Sequence, residues 1–302
     1  MRAARFHEYG PADVLVIDDI PEPHAGPGEI RVRVAAVSVN AVDWMYRAGM
    51  LRDYIPDNLL PATPGCDAAG TVDEVGEGVT GVSVGDAVFG LAMTFGASAE
   101  HVVLTAWAPV PATWSPEQAA GAGLAVATAV SGLNTLGDLS GKTLLVEGAA
   151  GGVGSAAVAI AAARGATVIG TASEAKHEYL RGIGALPTTY GPGLADRVAA
   201  LAPGGVDVVL DAAGSGSVTD LLAIAGEESR LAVVANIQLT TSLGLRYISA
   251  ENDSAHLAEG ATHGANGHYT PHIAETFPLD KIAEAHRYAE RRRTQGKIVV
   301  TL

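Results

Sequence analysis

The residues with the clearest chemical purpose are glycines. The run Thr143-Leu-Leu-Val-Glu147 is β-branched and aliphatic and leads straight into Gly148-Ala-Ala150-Gly151-Gly152-Val153-Gly154. An Ala-rich segment over 155–164 follows, stops at Gly165, and gives way to a second apolar run at 167–171. Strand, turn, helix and strand together match the roughly 30 residues of a βαβ unit. Without a Cβ, the backbone at Gly151 and Gly152 can turn tightly and approach a pyrophosphate. Amide N–H groups at the helix start then meet its charge. Gly154 and the small residues after it let the helix lie close to the sheet. Ala149 stands where the first glycine of GxGxxG is usual, so the pattern is AxGxxG, or GxxGxxG counted from Gly148. The turn therefore predicts a dinucleotide site.

Which dinucleotide depends on the end of the second strand. An NAD site places Asp or Glu roughly 20 residues past the turn to bond the ribose 2′-OH. Here the sequence is Thr171-Ala-Ser173-Glu174-Ala-Lys176, with a hydroxyl and then a cation. A 2′-phosphate wants donors and positive charge, so NADPH is expected. Glu174, if pointed inward, would instead favour NADH; at the first position of a helix it faces water and complements the dipole.

The rest of the middle region continues the alternation that must hold this turn. Helical patterns over 176–183, 194–201 and 218–225 alternate with a short strand over 187–190 and buried strands over 206–211 and 230–235. Such a series makes a doubly wound parallel sheet of Rossmann type, with ligands outside the carboxyl ends of its strands. Ala213, Gly214 and Ala235 are thereby placed to flank the nicotinamide half. Ser115-Pro116-Glu117 starts a helix with an N-cap and a first-turn proline.

The first 115 residues read as β-rich. Ile30-Arg-Val-Arg-Val34 alternates with period two, and turn signals such as Gly26-Pro27-Gly28, Pro64-Gly65 and Gly85-Asp86 recur closely. Many short strands of this kind predict a barrel or sandwich. At 302 residues two domains are expected. The 48% hydrophobic and 17% charged composition fits a compact chain. A net charge of −14 argues against general nucleic-acid binding. The single cysteine, Cys66, rules out an internal disulfide and a multi-thiolate zinc lobe. The first residues have no apolar core of a signal peptide, and no apolar stretch is long enough to span a bilayer, so a cytoplasmic protein is expected.

Several spaced motifs resemble one family. Asn40-Ala-Val-Asp43-Trp44-Met-Tyr46-Arg47-Ala-Gly49 is similar to the NxxDWxxRxG signature of zinc-independent medium-chain dehydrogenase/reductases of the quinone oxidoreductase (zeta-crystallin-like) group. Pro64-Gly65-Cys66-Asp67-Ala68-Ala-Gly70 resembles its PGxDxAG stretch, Gly85-Asp86-Ala-Val88-Phe89-Gly90 its GDxVFG, and Leu124-Ala-Val-Ala-Thr128-Ala its LAxxTA run. Gly296-Lys297-Ile-Val-Val300 matches its closing pattern. The resemblance covers almost the whole chain in order. It implies a GroES-like distorted β-barrel over 1–115 plus 264–302, made discontinuous by a returning last strand, around a Rossmann domain over 116–263. It also implies a homodimer, with 243–248 as the segment able to pair edge to edge.

What the resemblance implies for chemistry is specific. Zinc relatives carry Gly-His-Glu where this chain has Gly65-Cys66-Asp67, and a cysteine near Asn40; no matched set of three or four ligands is present, so no metal is expected. Four histidines, at 256, 263, 268 and 272, lack a convergent carboxylate or cysteine and read as solvated. Without metal to polarise a carbonyl, the expected reaction is hydride transfer from NADPH to a quinone or an α,β-unsaturated carbonyl. The resemblance places Thr128 beside the nicotinamide, with a helix-interior hydroxyl bond as its alternative, and Tyr190 near the 2′-phosphate. Lys297 lies near the cofactor in the family, or is a strand-edge lysine here. Asn40 and Thr128 are candidates to hold the substrate carbonyl or the nicotinamide amide. Asp43 is expected to order its loop, with Arg47 as partner. The family has Tyr or Lys where this chain has Met45, leaving Tyr46, Tyr54 or solvent to supply a proton. An NADPH-binding sensor of low turnover, or an enoyl reductase for acyl chains, would share these features.

Overall fold

The computed structural model describes residues 1–55, 59–92, 94–215 and 217–302. It divides into two compact units, one of residues 1–124, 252–261 and 271–302, the other of 125–251 and 262–270. The division falls at 124 where the sequence reading put 115, and 252–261 belong with the β-rich unit.

The β-rich unit is built on a long bent strand. β1 (Arg2–Arg5) pairs antiparallel with β2 (Val16–Asp19). β3 (Ile30–Val39) alternates burial as its period-two pattern requires, and register shifts near Val32 and Ala36 bend it. Its first half pairs with β6 (His101–Leu104) and its second half with β14 (Lys297–Thr301). β4 (Asp67–Val75), β5 (Ala87–Leu91), β7 (Ala106–Pro109) and β13 (Ile273–Pro278) complete the order β13-β14-β3-β4-β5-β7. The core between these strands holds Phe6, Ile30, Val32, Leu104 and Val300, closed by Ile282 and Ala285 of α9 (Ile282–Glu290). α1 (Ala41–Arg47) follows β3 directly.

In the other unit, five parallel strands lie in the order β10-β9-β8-β11-β12. They are β8 (Thr143–Glu147), β9 (Thr167–Thr171), β10 (Ala185–Thr188), β11 (Val208–Asp211) and β12 (Leu231–Val233). The chain runs outward from β8 to β10, then restarts beside β8 at β11. That reversal is the switch point at which α/β sheets bind ligands. α2 (Pro116–Thr135) precedes the sheet; its start is fixed by reciprocal bonds, Gln118 N–H to Ser115 Oγ and Ser115 N–H to Gln118 Oε1. α3 (Gly152–Ala163), α4 (His177–Gly182), α5 (Leu194–Leu201) and α6 (Val218–Ala225) connect the strands.

Two local readings shift. β10 begins two residues earlier than its apolar pattern indicated, because Ala185 and Leu186 extend the pairing with β9. Residues 247 and 248, expected as an unpaired edge, already extend the sheet: Tyr247 bridges Val233, and the Ile248 N–H bonds the Val233 carbonyl at 2.8 Å. No helix among the described residues is long and apolar enough to cross a membrane.

Candidate active site

The glycine turn sits at the switch point. Gly148, at φ +74°, packs its α-carbon against Ala213, leaving no room for a side chain. A Cβ on Gly154 would lie 2.1 Å from the Gly148 carbonyl oxygen, so only glycine lets α3 start this close to the strand end. The N-cap of α3 is Gly151, which brings no side chain to the free amides of Gly152, Val153 and Gly154. Open amides at the positive end of a twelve-residue helix form a cradle for phosphate. Ala150 is buried behind them.

Two buried carboxyls brace this turn, and neither stood out in the sequence. Glu147 and Asp211 close β8 and β11 and are register partners. Glu147 accepts from Thr171 Oγ1 at 2.6 Å and from Ser217 Oγ at 3.2 Å. Thr171 Oγ1 in turn accepts the Gly148 N–H at 3.1 Å, tying the turn to the end of β9. Asp211 Oδ1 accepts the N–H groups of Ala213 and Gly214, at 2.9 and 3.1 Å, and so shapes the segment expected beside the nicotinamide. Burial pushes both carboxyls above the usual carboxylate range, with the hydrogen bonds opposing it. Gly214, at φ +57°, meets Ala235 and Asn236 closely enough that a Cβ would stand 3.1 and 2.8 Å away from theirs. Ala213, Gly214 and Ala235 are thus gathered where β11 and β12 end. Thr128 is buried in α2. It lies one turn before Gly132, whose α-carbon packs on Leu210 and Val234.

Ser173 and Lys176 follow the end of β9. The Lys176 N–H bonds the Ser173 carbonyl at 2.9 Å in a single 3₁₀ turn, and the lysine is half-buried, which lowers its pKa. Glu174 is exposed. Tyr190 stands 58% exposed on the segment after β10, where Arg197 binds the carbonyls of Thr189 and Gly191.

In the β-rich unit, a buried polar network gathers at Asn40 and Asp67, among the positions that the resemblance aligns with zinc ligands. Asn40 Nδ2 donates to Asp67 Oδ1 at 2.8 Å and to Ser38 Oγ at 3.2 Å; Ser38 Oγ donates to Asp67 Oδ1 at 2.7 Å. Asp67 Oδ2 accepts the Leu124 N–H at 2.7 Å. Lys297, the first residue of β14 and only 7% exposed, donates from Nζ to Asn40 Oδ1. Beside it, Asp43 caps α1 by accepting the Asn40 N–H at 2.7 Å, and takes the Gly65 N–H at 3.2 Å and the Cys66 thiol at 3.4 Å. Burial pushes the Asp43 carboxyl up to about 6, and also raises the Cys66 thiol well above its usual value.

This donor set does not fit zinc. Both Asp67 oxygens are engaged, Cys66 is held as a protonated thiol, and the Lys297 ammonium already supplies positive charge. Zinc needs deprotonated ligands with free lone pairs. The dinucleotide, by contrast, fits the open amides and the space that Gly148 and Gly154 leave.

Two expected placements differ, those of Tyr46 and Arg47. Tyr46 is turned into the core, 2% exposed, its ring stacked on Phe95 at 4.3 Å and edge-on to Phe6 at 5.1 Å. Its place in α1 sets that direction, opposite the solvent face. Tyr54 is 49% exposed; of the stretch 52–59 expected near a pocket, 56–58 lie outside the described residues. Arg47 pairs with Glu290 of α9 and not with Asp43, because the capping bond turns the Asp43 carboxylate back toward Asn40. Asn40 and Lys297 meet directly.

Residues 26–113 match the family model for the alcohol dehydrogenase GroES-like domain, and 192–300 that for the zinc-binding dehydrogenase domain. The 2-methylene-furan-3-one reductase of Solanum lycopersicum is 32% identical over 316 residues, covering 99% of this chain and 79% of that protein. A solved NAD-dependent alcohol dehydrogenase superposes with a TM-score of 0.85 at 30% identity over the full length of both chains. A mycobacterial protein complexed with NADPH gives 0.82 at 29% identity, again over both full chains. The fold is that of a nicotinamide-dependent oxidoreductase. The chain belongs to the medium-chain dehydrogenase/reductase family.

Proposed function

We propose that the protein is an NADPH-dependent reductase that passes hydride, without metal, to a quinone or an α,β-unsaturated carbonyl. The observation that carries this reading is the buried Lys297–Asn40–Asp67 network, which fills the position where a zinc relative would place Lewis-acid ligands. A metal Lewis acid is one way to polarise an unactivated ketone, whereas a conjugated carbonyl is already electron-poor. The reduced nicotinamide supplies the hydride; the chain supplies binding, orientation and electrostatics. In this reading Gly148, Ala150, Gly151, Gly152, Val153 and Gly154 hold the pyrophosphate. Ser173, Lys176 and Tyr190 serve the 2′-phosphate. Thr128, Ala213, Gly214 and Ala235 line the nicotinamide side. Support for NADPH over NADH is the absence of an acid at Ser173 and the half-buried cation three residues on. The furanone reductase, by its name, acts on an enone, which favours that acceptor class.

The test is a titration of NADPH and NADH followed by a panel of quinones and enones, with cofactor oxidation read by absorbance. The reading expects tighter NADPH binding and oxidation that depends on acceptor. Binding with no oxidation across the panel would leave a dinucleotide-binding protein and remove the reductase.

A further inference from the structure

Asn40 is, with Thr128, one of two residues the sequence nominates to hold the acceptor's carbonyl or the nicotinamide amide, yet its amide is already engaged inside the protein. A primary amide offers two N–H donors and a carbonyl oxygen with two lone pairs. Its nitrogen faces Asp67 Oδ1 at 2.8 Å and Ser38 Oγ at 3.2 Å, and its oxygen accepts from Lys297. The Ser38 hydroxyl proton is committed to Asp67 as well, at 2.7 Å. Lys297 is different: an ammonium carries three N–H donors, and Asn40 is the only hydrogen-bond acceptor its Nζ meets among the described residues. Two donors on a cation remain, in a site buried to 7% exposure.

Resting on the function proposed above, we infer that Lys297 donates the hydrogen bond to the acceptor's oxygen, and that Asn40 is a positioning residue that aims it. When hydride adds to the β-carbon of an enone, the C=C pair moves to form the enolate and the carbonyl pair moves onto oxygen. The Lys297 N–H bonds that oxyanion. The α-carbon then takes a proton from water and the carbonyl re-forms, leaving the lysine as it began. A fixed cationic donor in a water-poor site is worth most where charge develops, about 10²- to 10³-fold in kcat. Asp67 carries the chain of support one step further, since it fixes both Asn40 and Ser38. Met45 stands at the motif position where a tyrosine or lysine is usual and offers no N–H or O–H; Lys297 supplies the missing donor from β14.

The test compares wild type with Lys297→Met, Lys297→Arg and Asn40→Ala. Three readouts are taken: NADPH affinity, kcat and KM for an enone, and binding of p-nitrophenolate, an enolate-like oxyanion, to the NADP⁺ complex. Lys297→Met is expected to lower phenolate affinity at least about tenfold and kcat about 100-fold or more, with NADPH affinity unchanged. Lys297→Arg keeps a donor and is expected to restore phenolate binding in part, which also guards against a folding defect in the methionine variant. Asn40→Ala, retaining the ammonium, is expected to lose less than Lys297→Met. The proposal is overturned if Asn40→Ala costs more than Lys297→Met, or if Lys297→Met weakens NADPH and leaves the phenolate alone, making the lysine a cofactor ligand. Absence of turnover in wild type would refute the reductase reading separately, while the phenolate comparison still decides the role of Lys297.

Discussion

Asp43 makes the stability of the β-rich unit depend on pH in an unusual direction. Its carboxyl is raised by burial from 3.8 to about 6. A raised carboxylate pKa means the folded protein holds a proton that the unfolded chain has released, so stability grows as pH falls through 6 and levels off below 3.8. Between pH 8 and pH 5 the gain from this group is about 1.4 kcal/mol. Other groups titrate in the same window. His286, buried and held near 3, acts oppositely, since its unfolded form takes up a proton that the folded form refuses. The difference between wild type and Asp43→Asn cancels these common terms. Urea unfolding at pH 8 and pH 5, followed by tryptophan fluorescence, suits the question because Trp44, Trp107 and Trp114 all belong to the unit that contains Asp43. Wild type should gain about 1.4 kcal/mol on the variant over that range. Parallel pH profiles would refute the buried, proton-holding Asp43.

Two further outcomes are expected. Gly154→Ala places a methyl 2.1 Å from the Gly148 oxygen and 2.8 Å from the Ala149 α-carbon, and these are backbone atoms that cannot yield without moving the turn. It should cost about 1–3 kcal/mol and weaken dinucleotide binding, measured by calorimetry, whereas Gly182→Ala, with nothing within 4 Å, should stabilise slightly. Lys176→Ala should lower NADPH affinity about tenfold and leave NADH nearly untouched, on the proposed 2′-phosphate role; an equal loss for both cofactors would count against that role.

Much of this was legible in the residue order, and the reasons are local. A βαβ unit places its strand, glycine turn and helix within one short stretch, so Gly148 to Gly154 announced their own geometry. What the order of residues concealed is contact at a distance. Glu147 and Asp211 look like the last residues of two apolar runs; only pairing of β8 with β11 sets the two carboxyls side by side at the head of the sheet. Arg47 seemed matched to Asp43 four residues earlier, but the capping bond took the carboxylate and α9 provided Glu290. Tyr46 follows Met45 by one position, which on a helix is a turn of about 100°, enough to send its ring into the core.

The bond between Asn40 and Lys297 joins residues 257 positions apart. During synthesis, β3 and the carboxylate-bearing segment at Asp67 emerge long before β14, and the intervening parallel sheet can be completed while they wait. Until β14 arrives, the second half of β3 lacks its edge partner, and Asp43 and Asp67 lack their neighbouring cation. Ribosome-bound chains halted just short of residue 297 should therefore carry a finished nucleotide fold beside an unfinished, chaperone-prone barrel. The cation that completes the network is also the last of its members to be made.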